Sequence, residues 1–235
     1  MIVIYSALYG DYDTVKPIDA GVPAYLFTDQ PDMDAPGWTV IYRPHRVVTR
    51  NGPADLVAPM LAHKWWKTHP HRAASAAAEY CLPPDPADVT IWIDASITPE
   101  PGFVDKTLAA LGDDDWAMVP HPWRTCIYTE ADYSATLHRY AGLAGRILEQ
   151  SAFYRNVVGH PPNAGLIATG VNARRHTPAV IKVSELWWME CLTWTHQDQI
   201  SLPVLLHIAS QWGERPRWNT NIGWLEGWGL WPHLR

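Results

Sequence analysis

Val89-Thr90-Ile91-Trp92-Ile93-Asp94-Ala95-Ser96-Ile97 is an apolar, β-branched and aromatic run that delivers one carboxylate at its end, followed by two small residues. Residues 89–93 read as a strand that ends at Asp94, and Ala95 and Ser96 leave room beside Asp94 for a ligand. Working outward, the same design recurs. Residues 2–8 are apolar and stop at Tyr9-Gly10, residues 24–28 stop at Asp29, residues 39–42 follow the turn Pro36-Gly37, and residues 116–119 run into Pro120-His121-Pro122. Between the strands lie helical stretches: 53–66, opened by Pro53, the Ala-rich 72–80, and then 178–194 and 199–210. Residues 130–158 carry Tyr133, Leu137, Tyr140, Ala144, Ile147 and Leu148 at three- and four-residue steps, with Gly142 and Gly145 as break points. Strands alternating with helices predict an α/β/α sandwich around a mostly parallel central sheet. In such sheets ligands sit beyond the carboxyl ends of the strands, which would place Asp11, Asp29 and Asp94 around one crevice.

The chain has 235 residues, enough for one large domain with a full core. With 47% hydrophobic and 18% charged residues it is not a disordered chain. The net charge of −6 disfavours binding driven by neutralising phosphates. Cys81, Cys126 and Cys191 are an odd number without a Cys-x-x-Cys pair, so neither a disulfide framework nor a cysteine zinc site is expected. The N-terminus lacks a basic, long apolar leader, and no window reaches the roughly 18 apolar residues of a membrane helix. A cytoplasmic location follows as the expectation. Of the 14 Trp residues, Trp212, Trp218, Trp224, Trp228 and Trp231 crowd the C-terminal end. Residues 212–235 are therefore expected to wrap on the body of a single domain and cover their rings.

Several residues invite chemistry. A carboxylate such as Asp94, at a strand end, suits a hard divalent cation that also takes phosphate oxygens; it suits equally well the cap of the following turn. His63, His69 and His71 beside Lys64 and Lys67 read either as a basic patch for a diphosphate or as a solvated helix end, and Arg174-Arg175-His176 offers a second basic run. A transfer that inverts its carbon centre needs a base. Asp198, in His196-Gln197-Asp198-Gln199, is the candidate, because a helix start there would keep the carboxylate ionised; the same place suits a plain N-cap. Glu130 and Glu185 are weaker candidates, and Asp113-Asp114-Asp115 reads as a solvated loop. Trp65, Trp66, Trp187 and Trp188 have the flat faces that stack on sugars, although most Trp belong to cores.

Taken in order, Tyr5-Ser6-Ala7-Leu8-Tyr9-Gly10-Asp11-Tyr12-Asp13, Tyr25-Leu26-Phe27-Thr28-Asp29, the segment 64–71, Trp92-Ile93-Asp94-Ala95-Ser96-Ile97, His121-Pro122 with Arg124 and Cys126, Tyr154-Arg155, Gly165-Leu166, Arg174-Arg175-His176, Trp187-Trp188 and Asp198-Gln199-Ile200-Ser201 resemble a family of glycosyltransferases long known as a domain of unknown function. Its members include plant pectin- and mucilage-related transferases and many bacterial and viral proteins. The resemblance implies a GT-A-like fold with a nucleotide-binding sheet, a nucleotide-sugar donor with UDP-sugars favoured, and Mn²⁺ or Mg²⁺ under the diphosphate. It puts Tyr9, Asp11 and Asp29 at the nucleoside end and Lys64, Lys67 and Arg174 with the donor. Asp94 becomes the surviving acid of an Asp-x-Asp metal motif, whose second acid is here Ser96. Either His121, His207 or His233 completes the metal site, or the lysines and Arg174 take the diphosphate without metal. Trp187 and Trp188 fall to the acceptor, which would be a glycan, a small molecule or a hydroxymethylated DNA base. A metal-dependent hydrolase built on Asp94, His121, Asp198 and His207, or a non-catalytic nucleotide-sugar-binding domain, are the competing readings.

Overall fold

A computed structural model describes residues 1–11, 13–44, 54–79 and 88–223. Among these residues seven strands form one mixed sheet: β1 (Ile2–Leu8), β2 (Ala24–Thr28), β3 (Thr39–Tyr42), β4 (Val89–Ile93), β5 (Trp116–Pro120), β6 (Ile167–Arg175) and β7 (Trp218–Asn219). Their spatial order is β3-β2-β1-β4-β6-β5-β7. All neighbouring pairs are parallel except those of β6, which runs antiparallel to both β4 and β5. The helices are α1 (Ala54–Thr68), α2 (Pro70–Ala78), α3 (Phe103–Leu111), α4 (Ile127–Thr136), α5 (Ala144–Phe153), α6 (Pro178–Thr193) and α7 (Leu202–Ala209). The predicted α/β class with a mostly parallel sheet is what forms.

Strand alternation sorts the core into two sides. Ile4, Leu8, Leu26, Ile91, Ile93, Ala117 and Val119 join Phe103, Val104 and Leu111 of α3 on one face. On the other face Val3, Tyr5, Ala7, Phe27 and Trp92 lie under α1 and α2, and Trp116 and Met118 pack with Trp187 of α6 and Leu202 and Leu205 of α7. Because helices cover both faces, the central strands read as almost unbroken apolar runs rather than as alternating ones. Helix α6 starts where the sequence suggests, with Pro178 in its first turn and the Thr177 hydroxyl accepting from Val180 N at 3.3 Å.

Three elements escaped the sequence reading. Helix α3 is short, and β7 has two residues. Strand β6 interrupts its apolar residues with Thr169, Asn172 and Arg174, all of them buried. The stretch 130–158 is not one helix broken at its glycines: the chain turns extended at Leu137, and Gly145 lies inside α5. That turn buries Tyr140, whose hydroxyl donates to Gln197 Oε1 at 3.3 Å. Of the expected Trp-rich C-terminal wrap, 224–235 lies outside the described residues, as do Cys81 and His233.

Two features of the sheet create a site. From β1 the chain passes to β2 on one side while β4 lies on the other, so the carboxyl ends of β1 and β4 flank a topological switch point, the place where open α/β sheets accept ligands. Opposite Met118-Val119, β6 bulges. Met118 pairs with Asn172 and Val119 with Ala168, leaving Thr169-Gly170-Val171 in excess over β5. Gly170 O accepts from Asp94 N at 2.8 Å, which ties the bulge to the end of β4.

Candidate functional site

Helix α1 packs on β1 and sets His63, Lys64 and Lys67 over the ends of the central strands. His63 Nδ1 lies 2.8 Å from Ala7 O. Asp94 continues the alternation of Thr90 and Trp92 toward the α1 side. Its Oδ1 accepts from Trp92 Nε1 at 2.8 Å and lies 3.4 Å from Lys67 Nζ. Asp198 comes from the turn before α7, and its Oδ2 is 3.0 Å from both Lys64 Nζ and Lys67 Nζ. Thr169, presented by the bulge, donates to Asp198 Oδ1 at 3.2 Å and accepts from Lys67 Nζ at 3.1 Å. Two ammonium groups and two carboxylates therefore form one closed cluster at the switch point. Its members differ sharply in exposure: the Asp94 side chain is 27% exposed, against 3% for Asp198 and 1% for Lys67.

The electrostatics follow from this packing. Burial alone would raise the Asp198 carboxyl, but Lys64 and Lys67 outweigh it and hold the group well below the usual carboxylate range. Burial likewise opposes the ionised form of Asp94, and Lys67, His63 and Lys64 overcome it, so Asp94 is also lowered. Lys64 is raised despite its burial, because Asp198 and Asp94 face it. Both carboxylates are ionised and Lys64 is protonated across the neutral range.

A second polar cluster adjoins through Gln197. Its amide donates to Glu130 Oε1 at 3.1 Å and to Ser134 Oγ at 2.7 Å. Arg124 Nε meets Glu130 Oε2 at 2.5 Å. His121 Nδ1 accepts from the backbone N–H groups of Trp123 and Arg124 at 3.3 and 3.1 Å. Trp123 stands 59% exposed at the same edge of the sheet. Glu185, by contrast, lies with His69 at 3.3 Å and His71 at 3.7 Å.

Buried histidines give the fold a pH signature. Burial is the leading cause in each: it pulls His63 and His196 down to about 3, and His121, His160 and His176 to about 4. A histidine lowered in the folded state is protonated first in the unfolded chain, so its contribution is complete above about 6.5 and shrinks as pH falls toward the folded value. The expected result is a loss of about 2 kcal/mol per buried histidine between pH 7 and pH 5, read from urea midpoints. A flat profile over that interval would contradict these placements.

Among the described residues the structure locates those named from the sequence and shows what each one touches. Asp29 accepts from Gly10 N at 3.1 Å, so it fastens the loop after β1 to the end of β2. Gly10 holds a φ of +70°, which a side chain rarely adopts. Tyr9 is buried with its hydroxyl accepting from Trp66 Nε1 at 2.6 Å, while Asp11 is exposed. Lys64, Lys67, Asp94 and Asp198 are brought together. Arg174 is not with them: it pairs across the sheet with Thr90, at the far end of β4 from Asp94, and is wholly buried. Its Nη2 donates to Tyr5 Oη at 2.5 Å and to Lys67 O at 2.6 Å, so it fixes the end of α1 to β1 and positions Lys67 rather than contacting a diphosphate. Trp187 is wholly buried, its Nε1 donating to Asp198 O at 3.1 Å, so it is a core residue and no acceptor platform. Trp188 is partly buried against the same core, edge-on to His69. Asp198 does not open a helix, since α7 begins at Leu202; the lysines, not a helix dipole, hold it ionised.

The expected metal set does not form either. His207 is exposed on α7 with its ring 5.3 Å from that of His160, and His121 is occupied by backbone donors. Among the described residues no three His, Cys, Asp or Glu side chains gather as a metal-holding group. Asp94 Oδ1 and Asp198 Oδ2 instead face ammonium groups, and a divalent cation joining those two oxygens would have to displace Lys67 against its charge. Between Asp94 and Asp198 the described residues do not fit Mn²⁺ or Mg²⁺. Thr169 and Trp123 had no role in the sequence reading. Thr169 carries no local signal, because only the bulge aims it; Trp123 follows His121-Pro122 and could have been found as an aromatic just past a strand end.

No protein-family model matches the chain, and no curated protein matches its sequence. Among solved structures the chain is similar to the mannosyltransferase Ktr4p from S. cerevisiae, at 7% identity and a TM-score of 0.38. The match covers 78% of this chain and 56% of that one, so the chain spans about half the length of that structure. Among the described residues no helix is long and apolar enough to cross a membrane.

Proposed function

We propose that the chain is a glycosyltransferase that moves a sugar from a nucleoside-diphosphate donor, a UDP-sugar in the favoured case, to an acceptor hydroxyl on a glycan, a small molecule or a hydroxymethylated DNA base. The observation that carries this reading is Asp94: an ionised carboxylate, one oxygen pinned by Trp92 and Lys67, partly exposed at the carboxyl end of β4 beside the switch point. A carboxylate fixed this way is a hydrogen-bond acceptor for sugar hydroxyls and, in an inverting transfer, the base. The acceptor oxygen bonds to the anomeric carbon, the bond from that carbon to the phosphate oxygen breaks, and the diphosphate leaves with the electron pair. The acceptor proton goes to Asp94. The leaving group's negative charge needs a cation nearby, and Lys64, the more exposed of the two lysines, is the candidate. Asp198 is too enclosed and too weak a base for the proton; its role is to hold the lysines.

The test is a panel of UDP-, GDP- and TDP-sugars, followed by thermal shift and by slow donor hydrolysis in the absence of acceptor. One nucleotide that stabilises the protein and is turned over supports a transferase. Phosphate-ester cleavage without sugar preference would replace it by the hydrolase, and binding without turnover by a non-catalytic binding domain.

A further inference from the structure

The position of one ammonium group bears on the donor chemistry. Lys67 Nζ is enclosed by Asp198 Oδ2 at 3.0 Å, Thr169 Oγ1 at 3.1 Å and Asp94 Oδ1 at 3.4 Å, two carboxylates and a hydroxyl from three separate elements. Hard oxygens converging on one point from different parts of the chain are what a divalent cation demands. Here the point is filled by the protein's own side chain, 1% exposed.

Lys67 is also held there from behind. Its backbone carbonyl accepts from the buried Arg174, and its ammonium lies 5.6 Å from the centre of the Trp92 ring. The charges balance without an ion: Lys64 and Lys67 against Asp94 and Asp198. Adding a divalent ion would leave the enclosed cluster with two uncompensated positive charges, a heavy cost in a low-dielectric site.

We infer that the Lys67 ammonium is the resident cation of this site, occupying the place where a divalent metal would bridge Asp94 and Asp198, and that the protein works without a metal. This rests on the transferase reading only for what the site serves; the occupancy itself is a property of the cage. A corollary gives the inference its test. Removing the ammonium leaves two carboxylates and Lys64, a net negative cage with three oxygens aimed at a vacancy, and such a cage should take up a divalent ion.

The experiment is a titration of the full chain with MnCl₂ alone, without nucleotide, followed by Mn²⁺ electron paramagnetic resonance and by melting temperature, on the wild type and on Lys67→Ala. The wild type is expected to leave the free Mn²⁺ signal and its melting temperature unchanged up to 1 mM (an ion concentration of about ordinary weak-site range). Lys67→Ala should bind Mn²⁺ saturably and gain melting temperature with it, and Asp94→Asn added to Lys67→Ala should abolish that gain. Saturable Mn²⁺ binding by the wild type that Asp94→Asn removes would overturn the inference, and so would a folded Lys67→Ala protein that takes up no Mn²⁺. If Lys67→Ala does not fold, Lys67→Ser, which returns a hydroxyl to the cage, replaces it, and the wild-type titration decides in any case. Failure of the transferase reading shows up separately, as no turnover of any nucleotide sugar with the Mn²⁺ results unchanged.

Discussion

Asp94→Asn is expected to lower donor turnover by a factor of about 10²–10⁴, the usual contribution of a positioned acid–base group, while changing the melting temperature little. The asparagine keeps the shape of the side chain, and its amide oxygen can still accept from Trp92 Nε1 and Lys67 Nζ, which lie 2.8 and 3.4 Å from the present Oδ1. What it loses is the negative charge and the basic oxygen on the exposed side. The cost to the fold is small because Asp94 is the more exposed carboxylate of the cluster, and Lys67 keeps its closer partner, Asp198 Oδ2 at 3.0 Å. Steady-state donor hydrolysis with circular dichroism on the same samples checks both halves. Turnover within a few-fold of the wild type would remove Asp94 from the chemistry, whereas lost turnover with lost structure would make it a structural residue.

Asp198→Asn is expected to do the opposite and cost the fold about 3–5 kcal/mol, the range for breaking a buried ion pair by removing one partner. Asp198 is the common acceptor of two ammonium groups, each 3.0 Å from its Oδ2, and Lys67 is buried with it. Neutralising it leaves two positive charges enclosed with only Asp94 to balance them. Chemical denaturation measures the loss. A double variant, Asp198→Asn with Lys67→Met, should recover much of it, because the second substitution removes an enclosed charge; a double variant no more stable than the single one would mean that packing rather than charge sets the cost. The pH dependence has a definite sign. Asp198 is lowered in the folded protein, so its contribution is complete above the ordinary carboxylate value of about 4 and is lost as pH falls through the lower folded value. Lys64 is raised, so its contribution is complete below the ordinary value of about 10.4 and is lost as pH rises beyond it.

These two expectations divide the roles of carboxylates that look alike in the sequence. Each has an apolar or turn-forming neighbourhood and a plausible cap reading. The distinction lies in enclosure, 27% exposed for Asp94 against 3% for Asp198, and enclosure is set by which elements close over each group. The same cause explains why Arg174 and Trp187 were assigned to ligands on sequence grounds. A cationic run after a strand and a pair of indoles on a helix carry no local mark of which way they face. In the folded chain Arg174 points inward to Tyr5 and the end of α1, and Trp187 inward to the Asp198 backbone.

The sequence by itself determined the five strands β1 to β5, with the first four at the boundaries read from it, the helices α1, α2, α6 and α7, and the edge of the sheet where Asp29 and Asp94 emerge. Those features are legible because each depends on a few adjacent residues: an apolar run, a terminating Gly or Asp, a Pro at a helix start. Only the tertiary structure decided that β6 enters the sheet antiparallel, that its bulge aims Thr169, and that Lys64 and Lys67 close on Asp94 and Asp198. Lys67 meets Asp94 27 residues away and Thr169 102 residues away. Charges attract across whatever distance the fold sets, and burial decides how strongly, so no local pattern in the chain encodes which of its lysines and carboxylates will share one enclosed site.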